Sequence, residues 1–272
     1  MPGLSEEQVQ HYQEYGYVAP IRVISSARAT ELRARLEAAE ARGDISAYLR
    51  NKSHLAFPWL DALIGDPGVL DAVEAVIGPD ILCWGAGFFI KDPHNPSFVS
   101  WHQDSTYWGL EPADIVTAWV ALSDSDLENG AMRVIPGSHK QDQLAHRDTF
   151  AADNLLSRGQ EIAVEVDAAQ AHALVLKPGE MSLHHVRLVH GSEPNPSDRR
   201  RIGFAIRYLP THVRQTVAKR DSATLVRGVD RYQHFLPERA PAGELDAAAR
   251  AHHGEIVGAL NTVLLRDIAP VV

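Results

Sequence analysis

The sequence has one cysteine, no long basic run and no long apolar run, and each shortage removes a class of function. With Cys83 alone, no intramolecular disulfide can form and no thiolate cluster can hold a metal. Cys83 lies inside the apolar stretch Ile81–Ile90 and reads as a small buried hydrophobe. That stretch is the longest of its kind and about half of what a membrane helix needs, while the N-terminus MPGLSEEQ lacks the charged-then-apolar pattern of a secretory signal. The formal charge is -9, from 26 basic and 35 acidic residues, which argues against nucleic acid as a partner. The expectation is a cytoplasmic protein, monomeric or homodimeric, acting on a small molecule, with no membrane and no nucleic-acid partner.

What is present is an ordinary globular composition: 272 residues, 45% apolar and 22% charged, enough to bury a substantial core. No repeat, low-complexity tract or linker divides the chain, so one domain is expected over 1–272. Residues 1–80 read as a helical scaffold, 81–210 as a β core and 211–272 as a C-terminal helical segment. Ser5 and Gln8 have capping-box spacing, a second helix follows Ser25 or Ser26, and Pro67 stands where a helix can start. From Ile81 the texture changes to short runs rich in Val, Ile, Phe and Trp between Gly, Pro, Asn and Asp clusters. Strands are expected near 81–91, 98–104, 115–122, 131–135, 161–167, 172–177, 180–186 and 201–209. KPGE at 177–180 reads as a hairpin turn, and PHNP and PNPS as loops. Many short strands with regular turns predict a barrel or a two-sheet sandwich. A helical pattern returns from Gly243 to about Leu265.

Side chains two apart in a strand share a face, so His102 and Asp104 in SFVSWHQDSTYW can grip one ion together. A third ligand from a distant strand completes one face of an octahedron and leaves open positions for water, oxygen and a chelating cosubstrate. His190 in LVHGSEPN is the best candidate, beside Gly191, where the backbone can approach a ligand closely. With 14 histidines and 35 acidic residues, His-x-acid pairs also arise by chance. His146 with Asp148 and His253 with Glu255 are two more, but both sit in polar or helix-like surroundings. His184 and His185 compete with His190, and their spacing places them inside the hairpin or at its edge. Arg201 opens RIGFAIRYLP, a strand expected to run next to that of His190. A dicarboxylate that chelates a metal through its oxo-acid end needs a fixed bidentate cation at the other, a role that suits Arg201, with Ser192 as a further donor. Arg199 and Arg200 read as a solvated charge run.

WHQDSTYW at 101–108, TAWVALSD at 117–124, ENGAMRVIPGSHK at 128–140 and HGSEPNPSDRRR at 190–201 together resemble the phytanoyl-CoA dioxygenase family, which includes the ectoine hydroxylases. The resemblance covers roughly residues 80–210, and more loosely the N-terminal region from YGYVAP at 15–20 onward. It implies a double-stranded β-helix fold of jelly-roll type, mainly β with flanking helices. It also implies an iron(II) centre, 2-oxoglutarate and O2 as cosubstrates, and release of succinate and CO2. Carried over residue by residue, it makes His102, Asp104 and His190 the iron ligands and Arg201 the partner of the distal carboxylate of 2-oxoglutarate. Ser192 and Trp119 match positions lining the cosubstrate pocket, and Lys91 in FFIKDP looks like a lysine that some members direct at the cosubstrate. Related halogenases replace the carboxylate ligand with a small residue. Asp104 is intact, which points to hydroxylation or another oxidation over halogenation.

Tyr107 and Trp108 follow the acidic ligand and are expected in the substrate wall. Arg207 shares a strand face with Arg201 and could meet an anionic substrate group or sit in an internal ion pair. No basic patch suits a coenzyme A nucleotide, so the expected substrate is a small metabolite or natural-product intermediate. The competing readings are a hydrolase or isomerase holding another metal on the same fold, and a non-catalytic binding protein. The first leaves Arg201 and Ser192 without a purpose, and the complete ligand set argues against the second.

Overall fold

Every residue of the strand Val116–Ala121 is buried, and its two faces have different neighbours. Val116, Ala118 and Val120 join an apolar cluster with Leu32, Leu36 and Val73, whereas Trp119 and Ala121 join another with Met132, Val134 and Leu188. This strand therefore lies in a sheet covered by helices on one side and by a second sheet on the other. The structure, a computed structural model, describes residues 3–164 and 166–266.

In chain order the strands of the two sheets are β1 (Tyr17–Arg22), β2 (Ile81–Lys91), β3 (Val99–His102), β4 (Val116–Ala121), β5 (Arg133–Val134), β6 (His172–Ala173), β7 (Glu180–His185), β8 (His190–Ser192), β9 (Arg201–Pro210), β10 (Ser222–Arg227) and β11 (Leu236–Pro237). The seven-stranded sheet has the order β1-β7-β4-β9-β2-β10-β11, and the four-stranded sheet the order β3-β8-β5-β6. Together they form the mainly β jelly-roll, with flanking helices, that the motifs implied.

The helices begin where the caps predict. In α1 (Glu6–Tyr15) Ser5 and Gln8 form a reciprocal capping box, and Ser25 caps α2 (Ser26–Ala41). Prolines open α3 (Pro58–Ile64) and α4 (Pro67–Ile77), where a missing N–H costs nothing. These helices bury Leu32, Leu36, Leu60 and Val73 against Ile202, Phe204 and Ile206 of β9. Each such burial is worth about 1.5–3 kcal/mol. The last helix, α5 (Ala247–Leu264), packs Leu260 and Leu264 into a separate cluster with Trp84 and Trp108. Among the described residues, no helix is long and apolar enough to cross a membrane.

Five expectations are corrected. The first eighty residues are not wholly helical: Tyr17–Arg22 is an edge strand with Pro20 at its register shift, a position where a missing N–H breaks no ladder. The segment after 210 is not wholly helical either, because Ser222–Arg227 pairs with β2. KPGE does turn, with the Glu180 N–H donating to the Lys177 carbonyl at 2.9 Å. Its flanking strands β6 and β7 lie in different sheets, so it is a corner between sheets and not a hairpin. Arg201 is not beside the His190 strand, since β9 pairs with β2 and β4 while β8 pairs with β3 and β5. Of the strands expected over 161–167 and 172–177, only Glu161–Ile162 and His172–Ala173 form, and position 165 lies outside the described residues.

Candidate metal centre

The antiparallel register of β3 and β8 sets His102 directly opposite His190, with ring centroids 4.1 Å apart. Each imidazole is held in the same way: the Nδ1 of His102 bonds to the Ser100 carbonyl and that of His190 to the Leu188 carbonyl, both at 2.9 Å. A carbonyl can only accept, so Nδ1 carries the proton and the Nε2 lone pair remains available to a metal. Burial pushes the His190 pKa well below its ordinary value, which favours the same neutral, ligating form.

Asp104 does not lie on β3 as expected; the strand ends at His102 and Asp104 opens a 3-10 turn over Asp104–Tyr107. The shared face survives because the intervening Gln103 is still extended, at φ -113° and ψ 133°. Gln103 is fully buried and fixes this turn, its side-chain amide donating to the Arg187 carbonyl and its Oε1 accepting from the Leu144 N–H. Asp104 Oδ1 thereby comes 3.3 Å from His102 Nε2, and Oδ2 accepts from the Thr117 hydroxyl at 3.1 Å. Burial acts to raise its pKa, but the proximity of His102 and the charge of neighbouring groups, Arg207 among them, outweigh it and keep Asp104 a carboxylate. One ligand atom from each of His102, Asp104 and His190 lies within 4.8 Å of the others. Two neutral imidazoles and a carboxylate on one face suit a divalent transition metal, and the donor set is that of non-haem iron(II) centres.

The wall opposite comes from the large sheet. Arg201 and Lys91 face each other across the β9–β2 register. The Arg201 guanidinium donates to the Gly130 carbonyl, lies over the Trp119 ring at 5.4 Å and leaves its Nε buried without a partner. Trp119 can lie there because position 203 is glycine: a Cβ at Gly203 would come within 1.8 Å of the indole. Lys91 stands behind the cavity wall, where its Nζ donates to the Ser192 hydroxyl at 2.7 Å and to the Glu193 carbonyl. Burial and the neighbouring Arg201 charge push the Lys91 pKa down to about 6, and burial pushes that of Arg201 down to about 10. Among the described residues neither cation has a carboxylate within 4.0 Å. Arg201, Ser192 and Trp119 line one cavity with His102, Asp104 and His190.

His184 is a residue the sequence reading set aside. It faces this cavity, with Nε2 3.9 Å from Asp104 Oδ2 and its ring 4.8 Å from that of His190. Burial pushes its pKa down to about 4, and it lies outside the three-donor cluster. Its position on the inward face of β7 was hidden because that strand's partners, β1 and β4, are remote in sequence. Tyr107 is a correction of the other kind. Its hydroxyl donates to Asp148 at 2.6 Å and its ring packs 4.0 Å from the Arg158 guanidinium, so it braces the outer wall and lines neither cavity. Trp108 and Arg207 do line a second, larger cavity of about 430 Å³ that adjoins Asp104.

The sequence profile of the family described as phytanoyl-CoA dioxygenase (PhyH) matches residues 12–203. A probable alpha-ketoglutarate-dependent hypophosphite dioxygenase of Stutzerimonas stutzeri is 31% identical over 171 residues, 60% of this chain and 59% of that protein. The chain spans about half the length of the curated relatives it matches. The solved structure of the apo non-heme monooxygenase ThoJ is 35% identical, covers 95% of this chain and 98% of that one, and superposes with a TM-score of 0.85. CytC3 with Fe(II) and alpha-ketoglutarate shares the fold at 24% identity and a TM-score of 0.67, over 88% of this chain and 95% of that one.

Proposed function

Since the chain belongs to the phytanoyl-CoA dioxygenase family, we propose that it is an iron(II)- and 2-oxoglutarate-dependent dioxygenase that hydroxylates a small metabolite or natural-product intermediate. The observation that carries this reading is the pairing, across one cavity, of a three-donor cluster with the buried Arg201 guanidinium, which has no carboxylate within 4.0 Å among the described residues. A metal alone explains His102, Asp104 and His190. It does not explain Arg201, whose burial without a carboxylate costs stability unless a ligand supplies one.

In this reading His102, Asp104 and His190 hold iron(II) and leave the remaining positions to the cosubstrate and oxygen. When bound, the metal lets O2 oxidise both partners, so that 2-oxoglutarate leaves as succinate and CO2 and one oxygen atom enters a C–H bond of the substrate. The protein's part is positional. Arg201 receives the distal carboxylate of 2-oxoglutarate in its fork, and the Ser192 hydroxyl, held by Lys91, adds a donor beside it. Trp119 fixes the plane of the guanidinium. Thr117 and His102 orient the Asp104 carboxylate, and Phe89, Val99 and Met132 keep the cavity apolar around the polar groups. The 430 Å³ cavity falls within the range of small-molecule sites, roughly 300–1,000 Å³, and is the place for the substrate, with Trp108 and Arg207 in its wall. Cys83, buried and unpaired, suits the reducing conditions of a cytoplasmic location.

Anaerobic titration with iron(II) and 2-oxoglutarate tests the reading through the weak visible metal-to-ligand charge-transfer band. The parent protein is expected to show the band, and His190→Ala and Arg201→Ala to weaken it. Stoichiometric iron binding without the band in the parent would defeat the proposal and leave a metalloprotein of another class.

A further inference from the structure

We propose that the substrate is a monocarboxylate with an apolar body, and that Arg207 is the residue that recognises its carboxylate. The proposal deepens the oxygenase reading and rests on the same cavity.

The larger cavity has four basic side chains in its lining, and three of them are already engaged. Lys52 donates to Glu238 at 2.6 Å and to the Ser222 carbonyl at 2.8 Å. Arg200 is paired with Glu40 and Asp92, and Arg50 donates to the Leu155 carbonyl at 2.7 Å. Arg207 differs. Its Nε is buried without a partner, its one hydrogen bond is a long one of 3.4 Å to the Ala205 carbonyl, and no carboxylate lies within 4.0 Å of it among the described residues. Asp104, the nearest candidate, has its oxygens turned to His102 and Thr117. The guanidinium is held between the rings of Phe89 and Trp108, 5.6 and 5.9 Å from their centroids, so its fork is fixed in direction.

Position narrows the ligand further. Arg207 and Asp104 line both the metal-side cavity and the larger one, so a group bound to Arg207 sits at the junction of the two. A fixed guanidinium there, with no carboxylate within 4.0 Å among the described residues, selects an anion. With the other three basic side chains of the lining engaged, one guanidinium matches one negative charge, and its planar fork suits a carboxylate. One side of the larger cavity is apolar: Trp84 and Trp108 lie 5.0 Å apart and Leu155, Leu260 and Leu264 join them, while Ser46, Asn51, Ser157 and Gln160 stand elsewhere in the lining. The Trp84 N–H is spent on Asp221 at 2.7 Å and offers nothing to a ligand. The part of the substrate that packs on that side is therefore alkyl or aryl.

Calorimetric titration of 4-phenylbutyrate and of its amide, 4-phenylbutanamide, into anaerobic protein loaded with iron(II) and 2-oxoglutarate tests the assignment. The acid should bind the parent at least about ten-fold tighter than the amide, a difference of about 1.4 kcal/mol. Arg207→Met should abolish that preference while leaving the affinities for the amide and for 2-oxoglutarate unchanged, and Arg207→Lys should keep part of it. Equal binding of acid and amide by the parent, or no binding of the acid, overturns the proposal. So does a preference that survives in Arg207→Met. Loss of 2-oxoglutarate affinity in that variant would assign the guanidinium to the cosubstrate and overturn it as well. Should Arg207→Met fail to fold, Arg207→Gln compared with Arg207→Lys makes the same distinction. The charge-transfer band of the same samples reports separately on the oxygenase reading: a missing band with an intact acid preference defeats that reading and leaves the Arg207 site standing.

Discussion

Lys91 and Arg201 are direct cross-strand partners, two buried basic side chains on adjacent strands. Burial, and then the charge of Arg201 beside it, push the Lys91 pKa down from 10.5 to about 6. A group whose folded pKa is depressed contributes stability that is present above its unfolded value and is lost as pH falls toward the folded one. Stability of the ligand-free protein should therefore decline from about pH 10.5 to about pH 6, and Lys91→Met should flatten that slope. At pH 7 the variant should gain on the order of a few kcal/mol in urea denaturation. If the pair holds the cosubstrate, its carboxylate restores the charge on Lys91. Binding of 2-oxoglutarate at pH 8 should then take up a proton, measurable by calorimetry in buffers of different ionisation enthalpy, and Lys91→Met should abolish the uptake.

Glu238 sets a second pH limit, far from the metal ligands. Burial acts to raise its pKa, but the Lys52 charge and the bonds from His54 and Lys52 outweigh it and hold it well below the usual 4.5. Its contribution is complete above pH 4.5 and lost as pH falls below it. Glu238→Gln should remove this acid-side loss and cost about 3–5 kcal/mol at pH 7, because Lys52 is left buried and unpaired. Urea denaturation between pH 3 and 7 checks both.

Thr117→Val deletes one hydrogen bond to Asp104 and keeps the shape of the side chain. Groups that orient metal ligands are worth about 10–100-fold in metal affinity. Competition with a chelator should show a loss in that range and an unchanged melting temperature.

Gly203→Ala sets a methyl group against the Trp119 indole. The ring must leave its place under Arg201, at a cost of about 1–3 kcal/mol in stability. The measurement that matters is the 2-oxoglutarate dissociation constant, which should rise even under conditions where the variant is fully folded.

The parts of this site that could be read from the sequence are those set by local rules. Residues 102 and 104 share a face because Gln103 is extended, and Arg201 and Arg207 share one because β9 alternates. The caps at Ser5 and Ser25 and the proline at 67 are equally local. What could not be read depends on which strands become neighbours. The opposition of His102 and His190, the inward turn of His184 and the pairing of Lys91 with Arg201 all follow from sheet order, which no window of sequence contains. The substrate wall was hidden for the same reason, since Leu260 and Leu264 reach the cavity from the last helix, more than a hundred residues after Leu155. Tyr107 was misplaced because its hydroxyl finds Asp148, forty-one positions away.

The alternation of β9 also limits how this protein can change. Ile202, Phe204, Ile206 and Tyr208 anchor the helices, and on the alternate positions Arg201, Ala205 and Arg207 line the cavities while Gly203 makes room for Trp119. A slip of one residue would carry both arginines into the hydrophobic core and the core residues into the site. A single geometric fact thus serves as a quality control shared by folding and chemistry. New substrates can be reached by altering the segment around Leu155 and the last helix, but the spacing of the two arginines cannot drift while the protein still folds.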